Sequence, residues 1–485
     1  MNINKVLLIN PPMLNHLATT LPDFAVEEQG CFPVLGLLYI ATCLKKQIPD
    51  IELRILDSLA LKKNYEDIKK EITDFRPDIV GVPAWTFSYL DSIIITRIAK
   101  DVNPNIKVCA GGPHVTIYPG ETLAQPTIDY TITGEGEYPF AALIDALKNK
   151  KDLSNIPGLG WKENGKIHIN PHTEEIKNLD ALAFPDRTLT PYGMYYSILD
   201  KTRPITTMIT SRGCPFQCVF CYQKNTGWRC RTAQNIVNEI EECVKLGIKN
   251  IFIFDETFTV NKKRVIEICN EILERKIKIE WDIRSRVDTI DEEMLKILKK
   301  AGCKRISYGV EAGNGKILNI LKKEIDLSMA EKTIKLTKKY GFIVLADFMV
   351  CSPEETKKEI EESLRLAIKM NPDFVQFSVT TILPATELYD LARQQGIIEK
   401  DVWREYALNP TEDFQPPLWN IFSRREATVI LNGCYKRFYL RPRYILKKIF
   451  GIRSFWEFKI NLSAGLKMLF GKKKKQQAIN GKYAR

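Results

Sequence analysis

The sequence lacks a long apolar run. Its longest early uncharged stretch, Cys31 to Leu44, is too short to cross a bilayer and is interrupted by Pro33 and Gly36, so a core helix is predicted there. It also lacks a leader-like start. The strand-like run from Lys5 to Asn10 comes almost at once and the chain holds twelve cysteines, which points to a reducing, cytoplasmic setting where thiols serve metals rather than disulfides. Acids are nearly absent from the end of the chain. From Lys436 onward there are fifteen Lys/Arg and one acid, Glu457, so the net charge of +12 leaves the preceding body at −2. Such a body excludes an enzyme that spreads a basic surface over its active face to hold nucleic acid, and no nucleic-acid partner is expected.

With 485 residues and 45% hydrophobic content, the chain can bury about three units. Residues 1–150 alternate short strand-like runs (Val6–Asn10, Glu52–Asp57, Asp78–Pro83, Lys107–Gly112, Tyr130–Gly134) with helical stretches. This α/β pattern predicts a flavodoxin-like (Rossmann-type), doubly wound parallel sheet whose ligand sits at the carboxyl ends of the strands. Residues 151–200 break the pattern and read as a linker with a flap, a small hairpin from Trp161 to Ile169 around Asn164-Gly165. A second series over 201–400 places strands near 205–211, 250–255, 280–286, 304–311, 342–350 and 374–383, with amphipathic stretches such as 235–246 and 354–368. That predicts an open or partial (β/α)6 barrel, followed over 401–485 by a helical, basic extension.

Cys214, Cys218 and Cys221 crowd into the loop after the first barrel strand. A closed structural zinc site wants four ligands, commonly in two pairs, and no second pair follows at ribbon spacing. Three thiolates suit a 4Fe–4S cluster that leaves one iron open. The run Cys-x-x-x-Cys-x-x-Cys, with Phe220 just before the third cysteine, resembles the hallmark of radical S-adenosylmethionine enzymes. The resemblance implies that S-adenosylmethionine chelates the open iron and is cleaved to a 5′-deoxyadenosyl radical, with an electron donor such as flavodoxin or ferredoxin. Asp255-Glu256 stands where the family has a Gly-Gly-Glu-like segment near the methionine amino group; a strand-end turn with solvated carboxylates is the plainer reading. Arg286 and Glu311 fall in segments similar to those lining the nucleoside and carboxylate of the cofactor. Arg286 can grip a carboxylate, and Glu311 either accepts ribose hydroxyls or pairs with Arg286 as a structural ion pair. Leu383 to Tyr389 resembles a barrel-closing turn. No residue is singled out as catalytic.

Ahead of such a barrel, the first domain resembles a cobalamin-binding domain. The residues that carry this are Asn10-Pro11-Pro12, Gly111-Gly112-Pro113-His114 and Gly134-Glu135-Gly136-Glu137, each at a predicted strand end where glycines let a corrin approach the backbone. Many cobalamin domains carry Asp-x-His-x-x-Gly, whose histidine binds cobalt. None of the four histidines here (His16, His114, His168, His172) has that setting, so cobalamin is expected without a protein nitrogen on cobalt. His114 then reads as a contact to the corrin side chains or a capped turn residue. A methylthiotransferase with a second cluster on Cys31, Cys43 and Cys109 is the weaker alternative. Cys43 lies in the predicted helix 34–46 and Cys109 in the strand 107–110, so both read as core thiols, and no small RNA-binding barrel follows.

The family resemblance implies a cobalamin-dependent methyltransferase acting on an unactivated carbon. An oxidative cyclase like the anaerobic magnesium-protoporphyrin monomethyl ester cyclase would use the same parts, and a non-catalytic corrinoid sensor would have no use for an open iron. The basic tail mixes aromatic and aliphatic residues, with Ile445, Ile449, Ile452 and Trp456 at helical spacing and Lys447, Lys448 and Arg453 between them. It is read either as an interfacial segment at the inner face of the membrane, which would favour a lipophilic small-molecule substrate, or as a helical pair packed on the barrel.

Overall fold

The computed structural model describes residues 3–17, 30–172, 175–200, 202–223, 226–451 and Gly465. Five short strands, β1 (Lys5–Asn10), β2 (Glu52–Asp57), β3 (Ile79–Pro83), β4 (Lys107–Gly111) and β5 (Tyr130–Ile132), run parallel in the order β2-β1-β3-β4-β5. That is the flavodoxin-like order. Alternate residues of β1 serve opposite layers: Leu7 and Ile9 pack with the helices Tyr65–Phe75 and Tyr89–Val102, Val6 and Leu8 with Leu35–Gln47 and Glu137–Asn149. The uncharged early stretch is thus a core helix, as its length demands.

The hairpin β6 (Leu159–Glu163) and β7 (Lys166–Ile169) turns at Asn164-Gly165 but is not a flap in a linker. β6 pairs antiparallel with β5 and extends the first sheet to seven strands. The reason is the exposed edge of β5, whose free backbone groups need a partner.

In the second half, β8 (Ile205–Met208) leads into a two-stranded ribbon, β9 (Ser211–Cys214) and β10 (Thr226–Cys230). The barrel continues through β11 (Asn250–Ile253), β12 (Glu280–Ser285), β13 (Cys303–Glu311), β14 (Ile343–Val350) and β15 (Phe374–Val379). With β8 they form an open, all-parallel sheet of six strands in sequential order. Outward residues such as Trp281, Ile283, Ile306, Tyr308, Val344, Ala346 and Phe348 form one buried core with the surrounding helices. The inner face is different: Arg284, Ser307, Asp347 and Gln376 lie there, and Arg284 and Gln376 are exposed. A filled barrel would bury apolar layers at those positions, so this interior is a chamber.

The open edge at β15 is covered by the helix Arg424–Tyr439. Tyr435 Oη donates to Phe377 O (3.0 Å) and accepts from Phe377 N–H (3.1 Å), while Tyr439 Oη does the same with Val375 (2.7 and 2.8 Å). Four helical residues rise about 6 Å and two strand residues about 6.6 Å, so tyrosines at i and i+4 match alternate strand residues and replace a seventh strand. The helix Pro442–Gly451 follows, with Tyr444 buried and donating to Asp373 O at 2.9 Å. Ile445, Leu446, Ile449 and Phe450 are exposed. Ile452, Arg453 and Trp456 lie outside the described residues. None of the described helices is long and apolar enough to cross a membrane.

Candidate functional site

The ribbon β9–β10 carries the cysteine loop at the carboxyl end of β8. Its tight crossing needs glycine at Gly213, where φ is +83° and a Cβ would lie 2.3 Å from Gly227 O. Cys214 N–H donates to Thr226 Oγ1 (3.2 Å) and Cys221 N–H to Cys218 O (3.1 Å). Val219 anchors the loop, its N–H donating to Leu321 O (3.1 Å) and its O accepting from Leu388 N–H (2.9 Å). The segment Leu383–Tyr389, expected only to close the barrel, therefore also pins the thiols. Phe220 is half-buried against the apolar cluster shared by both halves of the molecule.

Cys218 is buried, and Cys214 and Cys221 are half-buried. Burial pushes the Cys221 thiol up to about 11, with Glu256, Cys214 and Cys218 adding to it. Burial also raises Cys218, opposed by Lys323 and Arg286. The three thiols thus feel one another's charge, and bound iron would offset what burial opposes. Among the described residues no three His, Cys, Asp or Glu groups surround a point as ligands of a single ion. Three thiolates in one loop, without a second pair of ligands in the motif, suit a 4Fe–4S cluster in which each thiolate holds its own iron.

The acids proposed beside the cofactor divide. Asp255 is fully committed inside the protein, accepting from Thr210 N–H (2.6 Å), Ser211 N–H (3.0 Å) and both hydroxyls (2.5 and 2.6 Å). It locks the turn from β8 into β9 and has no oxygen to spare for a ligand. Glu256 is open to the mouth of the chamber, where burial lifts its carboxyl above the usual range against the pull of Arg284. Arg286 and Glu311 do not pair. Arg286 grips Asp288 through Nε (2.9 Å) and Nη2 (2.8 Å) and stacks 3.8 Å from the Phe216 ring inside the cysteine loop. Glu311 sits past a β-bulge with φ +69° and pairs with Lys323 at 2.9 Å. The bulge re-aims Glu311 inward. Lys323, buried and facing Cys218, was hidden from sequence reading because Lys322-Lys323 looks like an ordinary charged helix end.

In the first domain, several predicted corrin contacts have partners within the chain. Asn10 Nδ2 donates to Asp57 Oδ1 (2.8 Å), which is also held by Ala60 N–H, while Tyr195 takes the other Asp57 oxygen, and Pro11 and Pro12 are buried. Gly111 and Pro113 are half-buried at the end of β4. Gly112 has φ +110° and presses on Ala84, whose O would lie 3.0 Å from a Cβ. His114 is not available to a corrin: it is fully buried, with its ring 4.1 Å from Tyr89, and desolvation pushes it down to about 3. Gly134 has φ +71° and the His172 ring fills the place of a side chain there, and a Cβ on Gly136 would meet Ile40. What the strand ends do offer is apolar surface in reach of a flat ligand. Met13 after β1, Trp85 after β3 and Tyr138 after β5 are exposed at 40%, 55% and 40%. Exposed apolar side chains at the carboxyl ends of such a sheet suit a flat ligand such as a corrin, and sequence reading missed these residues because it looked for glycines.

Glu135 and Glu137 tie the first domain to the cysteine ribbon. Arg212 holds Glu135 (2.6 Å) and Glu137 (2.5 Å), and Arg229 holds Glu135 (3.1 Å) and Glu175 (3.0 Å). The turn at the end of β5 is thus clasped to both strands of the ribbon that presents the thiols.

The model of the Radical SAM superfamily matches residues 208–367 and that of the B12 binding domain residues 24–144. An uncharacterized methyltransferase of Pyrococcus horikoshii is 34% identical over 461 residues, covering 94% of this chain and 96% of its own. The anaerobic magnesium-protoporphyrin IX monomethyl ester cyclase of Rubrivivax gelatinosus is 31% identical over 374 residues, covering 75% and 67%. In fold, the cobalamin-dependent S-adenosylmethionine radical enzyme OxsB superposes with a TM-score of 0.71 at 18% identity (96% of this chain, 72% of that one). The radical S-adenosylmethionine methyltransferase TsrM of Kitasatospora setae gives 0.66 at 18% identity (81% and 76%). The chain belongs to the radical S-adenosylmethionine enzymes that carry a B12-binding domain. Its cofactors are a 4Fe–4S cluster, S-adenosylmethionine and cobalamin.

Proposed function

We propose that the protein methylates an unactivated carbon of a small molecule. The observation that carries this is the clasp of Arg212 and Arg229 on Glu135, which sets the corrin domain directly against the thiol loop. When bound, the cluster with S-adenosylmethionine supplies a hydrogen-abstracting radical, and cobalamin supplies a methyl group. The chain's own parts then have separate tasks. Cys214, Cys218 and Cys221 would hold the cluster; Glu256 would take the amino group of the cofactor, and Glu311, paired with Lys323, its ribose hydroxyls. Arg286, committed to Asp288, orders the thiol loop through Phe216. Met13, Trp85 and Tyr138 would offer apolar contacts to the corrin. The named activities of relatives support methyl transfer: a cytidylyl-2-hydroxyethylphosphonate methyltransferase of Streptomyces wedmorensis is 24% identical over 82% of this chain. The test is product mass with isotopically labelled S-adenosylmethionine. A labelled methyl in the product supports the reading, and an oxidised, ring-closed product with no added carbon replaces it with the cyclase chemistry.

The electron donor proposed is a flavodoxin or ferredoxin. The tail is proposed as a peripheral contact with an anionic membrane, because Ile445, Leu446, Ile449 and Phe450 are exposed among Arg443, Lys447 and Lys448. Removing the chain from Gly433 onward would strip Tyr435 and Tyr439 from β15, so the test uses point changes. Ile445→Ser, Ile449→Ser and Phe450→Ser together should abolish flotation with anionic vesicles; failure of the unaltered chain to float removes the proposal.

A further inference from the structure

Among the described residues the inner face of the barrel carries a cation, Arg284, whose charge is felt by Glu256 and Asp347 but which makes no hydrogen bond or ion pair with either. In register, Arg284 on β12 stands beside Ser307, Leu345 and Phe374, and the next rung holds Gly309, Asp347 and Gln376. Every other barrel arginine on this sheet is committed: Arg305 to Asp200 and Asp282, Arg286 to Asp288. Among the described residues Arg284 has no hydrogen bond and no ion pair; its guanidinium lies 4.5 Å from the Phe254 ring, which fixes its direction into the chamber. It is exposed although it lies on the inner face of a central strand. A charged group held open in a concavity is a binding group more often than a structural one.

Its surroundings define what it would bind. On one side Phe254 and Phe252 meet Phe32 of the first domain at 5.6 and 5.2 Å between ring centres, an aromatic wall. On the other side Ser307, Asp347, Gln376 and Ser378 offer hydrogen bonds. Burial and the nearby Glu311 hold the Asp347 carboxyl up at about 7, so it does not fully cancel the arginine. The cations that face the thiol loop are Lys323 and Arg286; Arg284 lies two residues deeper into the barrel, about 6–7 Å along the strand direction.

We propose that Arg284 is the anchor for the substrate, and that the substrate has an apolar, ring-like body carrying a carboxylate or phosphate. The arginine fork takes the anionic oxygens, the phenylalanine wall takes the body, and Asp347 with Gln376 fixes its orientation. This rests on the cluster and cofactor reading given above, and the test separates the two.

The whole purified chain is unfolded thermally in the presence of phenylacetate, phenyl phosphate or the neutral phenylacetamide, and separately of S-adenosylmethionine. A ligand that binds only the folded state raises the midpoint. Both anions should stabilise the wild type and phenylacetamide should not; the choice between carboxylate and phosphate follows from which anion acts at lower concentration. In Arg284→Gln the anions should need about tenfold more concentration or more, with Arg284→Lys between. Equal shifts in wild type and Arg284→Gln, no shift in the wild type, or equal action of phenylacetamide would overturn the proposal. So would loss of the S-adenosylmethionine shift in Arg284→Gln with the anion shifts kept, which would place the arginine in the cofactor site. A wild type that S-adenosylmethionine does not stabilise would count against the cofactor reading instead.

Discussion

Replacing Arg212 with Met removes the cation shared by Glu135 and Glu137 while keeping a long apolar stem. Arg229 still holds Glu135 at 3.1 Å, but Glu137, whose side chain is 7% exposed, loses its counter-charge. Breaking a buried pair from one side costs about 3–5 kcal/mol, and the residual exposure of Arg212 lowers this to about 2–3 kcal/mol. Glu137→Gln removes the stranded charge. The double variant should therefore lose less than the sum of the singles, with a coupling of about 1–2 kcal/mol. Midpoints of urea unfolding, followed by both circular dichroism and tryptophan fluorescence, measure this without assuming one step for a chain with two sheets. Acid should narrow the gap. Burial alone would raise the Glu135 carboxyl, but Arg212 and Arg229 overcome it and hold it below the usual glutamate range. A depressed carboxylate stabilises the fold above its unfolded value, and this is lost as pH falls through the folded value, so wild type and Arg212→Met converge in acid. The ribbon also carries Cys214, so the same order should appear in iron retained under chelator. Additive losses in the double variant would refute the clasp.

Alanine at Cys214, Cys218 or Cys221 should abolish iron binding and reductive cleavage of S-adenosylmethionine with the circular dichroism unchanged, since the loop lies outside the barrel core; one variant with full iron would sink the assignment. Paramagnetic resonance of the cobalt(II) corrinoid form should show no axial nitrogen, because His114, fully buried against Tyr89, cannot reach a ligand. Asp347→Asn should become more stabilising as pH rises from about 4 to about 7, the folded-state value. Burial keeps the native carboxyl protonated in that window while the unfolded one ionises, so wild-type stability falls there, and a gap that shrinks with pH would contradict this. Tyr435→Phe with Tyr439→Phe leaves two backbone N–H groups and two carbonyls of buried Phe377 and Val375 without partners, at roughly 1–3 kcal/mol for each orphaned group. An unfolding midpoint within error of wild type would show that water replaces the hydroxyls and that the helix does not seal the edge.

The parts of the fold legible in the sequence are those set by local pattern. Short runs ending in Gly, Pro, Asn or Asp marked the five parallel strands of the first sheet, the barrel strands fell near their expected places although the run 374–383 ends at Val379, and the three thiols marked their loop by crowding alone. Strand ends were less legible where a side chain from elsewhere sets them: the run 205–211 stops at Met208 because Asp255, just past the end of β11, captures Thr210 and Ser211 and turns the chain. The hairpin 159–169 was recognisable, but its place was not, since pairing with β5 depends on a free edge that exists only in three dimensions. Glycine misled for a similar reason. Gly112 and Gly134 have positive φ and no room for a Cβ, yet the space is taken by Ala84 and His172, so the glycine is required by the protein's own packing. The groups poised for ligands are instead those the fold leaves unmatched: Trp85 and Met13 exposed at strand ends, and Arg284 open on an inner face while Arg286 and Arg305 are paired. A sequence shows which residues are able to bind; which of them are already satisfied is decided by partners tens or hundreds of positions away, as Glu135 and Arg212 show for the two halves of this chain.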